Sequence, residues 1–314
     1  MAERYLVWLE WPEKCFRADA KALRFLRSLA PQGADIVRVR GERAFLRELP
    51  RATHAIVWRF RREWWALAGK LRVLATPGAG RELVAWREAP KGVKVHFGGF
   101  HGRIISETVV GFMLAWAHGF FRPEISAADA GPWRRTWPRT AIDAGCSLVA
   151  GTRAVVLGYG RIGRAIGEKL EGLGVKVSGF TRKNFAALRE SAKTADWLIM
   201  ALPGDTGTDD MLGPGLISLL PRRCVVVNVG RGNAVDERAL VDALAKGRLA
   251  GAYLDVFKGE PGPLAHVGGG AAGGILDAEP STLPPSLVKM PHSSAFCDEY
   301  LELYFKELKD EGLL

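Results

Sequence analysis

Short apolar runs alternate with amphipathic stretches through the first third of the chain. Residues 5–9, 35–39, 55–58 and 71–75 read as strands, and residues 20–29 and 42–49 as helices. Strand and helix in turn indicate βα units around a parallel sheet. Residues 104–121 (IISETVVGFMLAWAHGFF) are apolar almost throughout, which predicts a long helix linking two domains and buried at an interface. Residues 122–150 are polar, with Pro and Trp, and read as a long connecting loop. From residue 151 the alternation becomes regular, with strands expected at 153–157, 175–180, 196–202, 224–229, 250–255 and 287–290. Roughly six strands with helices between them predict a doubly wound parallel sheet. The run Gly268-Gly-Gly-Ala-Ala-Gly-Gly274 is of low complexity and is expected to be a mobile loop.

A chain of 314 residues at this hydrophobic content accommodates two domains with their own cores. The formal net charge of +10 is unevenly placed. Residues 1–105 hold 21 Lys/Arg against 10 Asp/Glu, whereas residues 106–314 hold 23 against 24. A basic region of that size raises nucleic acid as a partner, but no recognised nucleic-acid-binding module accompanies it, so none is expected. It fits better as a positive field that draws in anionic small molecules. No apolar run approaches the ~20 residues that span a bilayer, so no membrane partner is expected. The first residues, MAERYLVWLEWPEK, lack the pattern of a signal peptide. Cys15, Cys146, Cys224 and Cys297 are scattered without a CxxC, which suits a reducing, cytoplasmic setting.

The chemistry begins at Gly158-Tyr159-Gly160-Arg161-Ile162-Gly163, a G-x-G-x-x-G that follows the apolar run Val155-Val156-Leu157. Alone the pattern is weak. Here a strand precedes it and an amphipathic helix follows, with Ile162, Ala165, Ile166 and Leu170 on one face. That context points to a dinucleotide, with its pyrophosphate at the helix N-terminus. An NAD site usually carries an acid at the end of the next strand. This one ends in Thr181-Arg182-Lys183, and two cations suit a 2′-phosphate, so NADP is expected in preference to NAD.

Three further strands run into polar residues. Arg231 follows 224–229, Glu260 follows 250–255, and His292 follows 287–290. Ligands bind outside the carboxyl ends of strands in open α/β sheets, so one crevice could hold all three beside the nucleotide. An Arg can grip a carboxylate bidentately and polarise a neighbouring carbonyl. A His can exchange a proton with the oxygen formed as hydride arrives, and a Glu can orient that imidazole. Each alone has a plainer explanation as a surface Arg, a loop Glu or a structural His. Their joint occurrence behind a nucleotide motif is what points to hydride transfer to a 2-oxo acid.

These segments resemble the D-isomer-specific 2-hydroxyacid dehydrogenases. The resemblance runs through VVLGYGRIGRAIGEKLEGLGVKVSGF, ADWLIMALPGDTGTDDMLG, VVVNVGRGNAVDERALVDALAKGRLAGAYLDVFKGEP and MPHSS. It implies that Arg231, Glu260 and His292 are catalytic, and the DVFxxEP spacing supports Glu260 over Glu279. Besides the 158–163 turn and residues 181–183, the cofactor is expected to meet Leu202, Pro203, Val229, Gly230 and Asp255. The turn Gly78-Ala79-Gly80, following Pro77, resembles the family's turn whose amides hold the substrate carboxylate. The resemblance implies a doubly wound, Rossmann-type dinucleotide-binding domain over 106–292. It also implies a smaller flavodoxin-like α/β substrate domain over 1–105, with 293–314 returning to it. A homodimer and a small 2-oxo acid substrate, such as glyoxylate or hydroxypyruvate, follow from it as well. A non-catalytic dinucleotide sensor on the same scaffold is the other reading, and the intact Arg/Glu/His set argues against it.

Four remaining features have simple explanations. Trp133 and Trp137 are expected to anchor the 122–150 loop, although they could reach a neighbouring subunit's site. Trp58-Arg59 could contact substrate. His96 and His101 stand at i, i+5 with no acid nearby in sequence, so no metal is expected there.

Overall fold

A computed structural model describes residues 3–121, 146–260 and 274–314. Trp133, Trp137, most of the 122–150 stretch and the run 268–273 lie outside the described residues. The chain divides into two compact units, Met1–His101 with Ala295–Leu314, and Gly102–Ser294. The sequence expectation set these divisions at 105/106 and 292/293. The first falls earlier because the long helix runs His101–Ala117, starting and ending before the expected 104–121. The second falls later because Ser293 and Ser294 are tied by their amides to Asp255 in the second unit.

The first unit is a five-stranded parallel sheet. Its strands are β1 (Arg4–Trp8), β2 (Asp35–Arg38), β3 (His54–Val57), β4 (Val73–Thr76) and β5 (Lys94–Phe97), in the order β2-β1-β3-β4-β5. That is the flavodoxin-like order. β5 is absent from the sequence reading. Among the described residues it lies at the sheet edge and pairs with β4 alone, so Lys94 and His96 interrupt the apolar signal that marks inner strands. On one face of the sheet, Leu6, Trp8, Phe45, Leu49, Phe60, Trp64 and Leu74 form a core. Part of the basic surplus is stacked on aromatic rings, with Arg59 over Trp8, Arg61 over Trp64 and Arg81 over Trp86. The returning segment supplies one helix, Tyr300–Asp310, which buries Tyr300, Leu301, Tyr304, Phe305 and Leu308 and packs on the helix Ala20–Leu29.

The second unit is a six-stranded parallel sheet of β6 (Arg153–Leu157), β7 (Lys176–Phe180), β8 (Trp197–Met200), β9 (Val225–Asn228), β10 (Gly251–Leu254) and β11 (Leu287–Lys289). Its order is β11-β10-β9-β8-β6-β7, doubly wound as the alternation predicts. β8, β9 and β10 are buried at every position, as strands covered on both faces must be. The helix His101–Ala117 covers part of this sheet. Its Trp116 ring fills the place of a side chain at Gly251, and its Phe112 ring lies 4.8 Å from Tyr253.

Winding reverses at β6, which has β7 on one side and β8 on the other. Ligand crevices open at such switch points. The backbones leaving neighbouring strands touch here. Gly158, with φ of +86°, would put a Cβ 2.5 Å from the Ala201 carbonyl oxygen, and Gly230 would put one 2.6 Å from Leu202 N. A Cβ on Gly232 would overlap the carbonyl of Phe257. The strand ends of β6, β8, β9 and β10 therefore form one continuous rim that side chains would break open. Gly232→Ala should cost about 1–3 kcal/mol by overpacking. A thermal melt should show the midpoint lowered by several degrees, and an unchanged midpoint would mean that the rim yields freely.

Candidate active site

The glycine-rich turn connects β6 to the helix Arg161–Gly172. Gly158 N and Tyr159 N both donate to Phe180 O, at 3.0 and 2.9 Å, which ties the turn to the end of β7. Gly163 lies so near Gly158 O that a Cβ would displace the helix from the strand. No side chain caps the helix N-terminus, and the space beside Gly160 is open. A dinucleotide pyrophosphate fits this arrangement, and the first-turn amides of Ile162 and Gly163 would hold it. Tyr159 turns away from that space, its ring lying over Gly179 and its hydroxyl against Gly167. Burial pushes its phenol above the ordinary value, with Glu171 and Glu168 adding to the rise.

At the end of β7, Thr181 and Asn184 form a compact turn in which Thr181 N donates to Asn184 Oδ1 at 2.7 Å. Arg182 is exposed and pairs with Asp205 Oδ2 at 2.6 Å, and Lys183 is exposed beside it. An acid thus does reach this strand end, but from the loop after β8 rather than from β7. Sequence position could not reveal it, because Asp205 belongs to a different βα unit. Leu202 and Val229 are buried on the rim, Pro203 is exposed, and Gly230 is buried against Leu202.

Arg231 leaves β9 through a turn built on Asn228, a fully buried polar residue. The Asn228 side chain donates to Arg231 O at 3.1 Å and accepts from Gly230 N at 3.1 Å. The half-buried guanidinium is held in turn by Gly230 O, 2.9 Å from Nη1. Neither partner was anticipated from sequence, although an Asn closing a run of valines marks a strand end that needs a polar partner.

Glu260 and His292 come from adjacent strand ends, after β10 and β11, and meet directly. Glu260 Oε2 stands 2.7 Å from His292 Nδ1, and Glu260 Oε1 accepts the Phe257 amide at 2.7 Å. Buried Glu237 anchors the same loop by accepting the Lys258 amide at 2.9 Å. His292 itself adopts φ of +52°, a left-handed conformation that is costly for a residue with a Cβ. The two residues after it hold it there. Asp255, only 2% exposed, accepts Ser293 N at 2.8 Å and shares Ser294 N between its two oxygens at 3.1 Å each. Burial raises the Asp255 carboxyl above its usual range, and the Ser294 and Ser293 hydrogen bonds oppose that rise. Asp255 was expected to touch the cofactor, whereas its carboxylate is occupied with the backbone that carries the histidine.

Gly78, Ala79 and Gly80 belong to the other unit, in the turn after β4, where Gly78 N donates to Thr76 Oγ1 at 3.3 Å. Trp58 is buried there against Trp11, Phe16 and Tyr300, with its indole N–H donating to Phe16 O at 3.0 Å. It packs among the aromatic side chains of that unit.

The chain belongs to the D-isomer specific 2-hydroxyacid dehydrogenase family, whose NAD binding domain model matches residues 110–291. A glycerate dehydrogenase of Methylorubrum extorquens is 26% identical over 76% of this chain and 74% of its own length. A glyoxylate reductase of Thermococcus gammatolerans is 34% identical, over 36% of this chain and 37% of its own length. The crystal structure of an NADPH-dependent glyoxylate/hydroxypyruvate reductase from Sinorhizobium meliloti, in complex with NADP and sulfate, superposes with a TM-score of 0.71. It is 22% identical and covers 99% of this chain and 96% of its own. Members of this family are NAD(P)-dependent 2-hydroxyacid dehydrogenases, and both α/β sheets described above are of its fold. No helix among the described residues is long and apolar enough to cross a membrane.

Asp255→Asn tests the clamp on His292. An amide in place of the carboxylate presents one donor to amides that need acceptors, so the histidine backbone should loosen. Turnover should fall by about 10- to 100-fold, on the scale of lost positioning, while nucleotide affinity measured by fluorescence titration stays within a few-fold. Wild-type turnover would show that the left-handed loop holds without Asp255.

Proposed function

We propose that this chain is a reductase of small 2-oxo acids, of the glyoxylate and hydroxypyruvate type, with NADPH preferred over NADH. The observation that carries the reading is the Glu260–His292 pair, held on the same strand-end rim as Arg231 and the nucleotide turn. Overall, a 2-oxo acid, NADPH and a proton yield the 2-hydroxy acid and NADP+. When bound, the dihydronicotinamide supplies the hydride. Arg231 pairs with the substrate carboxylate and draws electron density from the adjacent carbonyl. The carboxylate beside His292 Nδ1 fixes a proton on that nitrogen, which leaves Nε2 to hand its own proton to the carbonyl oxygen. The names of the Methylorubrum and Sinorhizobium relatives support this substrate class.

The cofactor preference rests on Arg182 and Lys183. The Arg182–Asp205 pair is exposed, and pairs of that kind contribute only about 0–1 kcal/mol. A 2′-phosphate, with more charge and three acceptor oxygens, would take Arg182 from Asp205 at little cost. The same reading includes a homodimer, supported by the exposed apolar side chains Leu114, Phe120, Phe121 and Leu148 of the second unit.

His292→Ala should lower kcat for glyoxylate or hydroxypyruvate by about 10²- to 10⁴-fold, with NADPH binding retained. Turnover at the wild-type rate would remove the proton-donor assignment. Arg182→Ala should lower kcat/KM for NADPH by roughly 10-fold or more and leave that for NADH nearly unchanged. A wild-type enzyme that prefers NADH would overturn the cofactor reading.

A further inference from the structure

In the first unit, apart from the residues assigned to hydride transfer in the second, a histidine and two glutamates converge. His96 lies on β5, and its side chain is only 6% exposed. Glu307 and Glu311 stand four residues apart, one turn of helix, on one side of the returning C-terminal segment. His96 Nε2 is 3.0 Å from Glu307 Oε1 and 3.3 Å from Glu311 Oε2. All three ligand atoms fall within 4.8 Å of one another. Sequence reasoning set His96 aside because no acid is near it in the chain. The acids come from the opposite end, brought there by the packing of the last helix.

His101, the other histidine considered, does not join the cluster. Its Nε2 is engaged with Tyr300 Oη at 2.7 Å. His96 differs, since neither of its buried ring nitrogens makes a hydrogen bond, although two carboxylates stand beside Nε2. A buried polar side chain in that condition is costly unless something else satisfies it. Its surroundings are ordered. The ring stacks on fully buried Tyr304 at 5.8 Å, and Glu307 Oε1 is oriented by the Gly99 amide at 2.8 Å. Glu311 is the most exposed of the three and opens the cluster to solvent.

We propose that His96, Glu307 and Glu311 form a binding site for a divalent transition cation of the zinc type, joining β5 to the C-terminal helix. One imidazole nitrogen and two carboxylate oxygens suit a borderline cation better than calcium or magnesium, which favour all-oxygen sets. Tetrahedral bonds of about 2.0–2.2 Å separate ligand atoms by roughly 3.3–3.5 Å. The two distances from Nε2 lie within a few tenths of an ångström of that spacing. Water completes the fourth position on the side of exposed Glu311. The site belongs to the first unit, whereas Arg231, Glu260 and His292 belong to the second, and its role is to fasten the returning helix to the edge of the first sheet. The inference does not depend on the dehydrogenase reading.

Zinc titrated calorimetrically into the metal-free full chain tests the site. One equivalent should bind, and the thermal midpoint should rise with zinc while magnesium at the same concentration has no effect. His96→Gln and Glu311→Gln should each weaken binding at least about 10-fold and abolish the zinc-dependent rise. Because Glu311 is partly exposed, its variant should fold even where the buried His96 variant does not. Cys15→Ser and Cys297→Ser should bind zinc as the unaltered chain does. Absence of stoichiometric binding, binding that survives Glu311→Gln, or binding lost with either thiol would overturn the proposal.

Discussion

Asp255 lies at the end of β10, almost wholly removed from water, and its carboxylate accepts the amides of Ser293 and Ser294. Those bonds hold a chain segment whose preceding residue, His292, sits at a positive φ. A β-carbon in that conformation costs about 1–3 kcal/mol and persists only where its neighbours fix it. Ser294 is fixed further by Thr108, which donates to its carbonyl at 3.0 Å from the helix His101–Ala117. The imidazole therefore projects from a backbone held on two sides, and Glu260 meets it at 2.7 Å without either side chain needing to search for the other. The proton transfer proposed for His292 would draw on that fixed geometry.

The second constraint is the closeness of the strand ends. Loops leaving neighbouring strands usually splay apart to accommodate side chains. Here Gly158, Gly230 and Gly232 let successive loops touch. The result is a rim along which the nucleotide turn, Arg231, Glu260 and His292 come one after another in the order of the sheet, from β6 through β8, β9 and β10 to β11. These residues are spread over more than 130 positions of sequence, from Gly158 to His292, yet they lie along one edge of one sheet.

What could be read in advance follows from the same physics. β8, β9 and β10 are covered on both faces and appear as uninterrupted apolar runs, so their positions were plain. The strand-end placement of Arg231, Glu260 and His292 was legible because each follows closely on an apolar run. β5 was missed because an edge strand tolerates Lys94 and His96. Asp205 could not be assigned to Arg182, nor Asn228 to Arg231, because side-chain direction is decided by tertiary packing rather than spacing. Asp255 was noticed as a strand-end acid, but its bonds to Ser293 and Ser294 were not, since nothing in its local sequence states that the chain returns to it after β11. His96 and its two glutamates were separated by about two thirds of the chain.

The proposed site would recognise a carboxylate and reduce the carbonyl beside it. Comparing kcat/KM for hydroxypyruvate with that for dihydroxyacetone, which has a neutral hydroxymethyl group where the acid has its carboxylate, tests this directly with NADPH oxidation as the readout. The account predicts reduction of the acid and a loss of at least about 100-fold for the neutral ketone, because a hydroxymethyl group offers the Arg231 guanidinium no carboxylate. Equal efficiencies for the two, or no oxidation of NADPH or NADH by any 2-oxo acid, would contradict it.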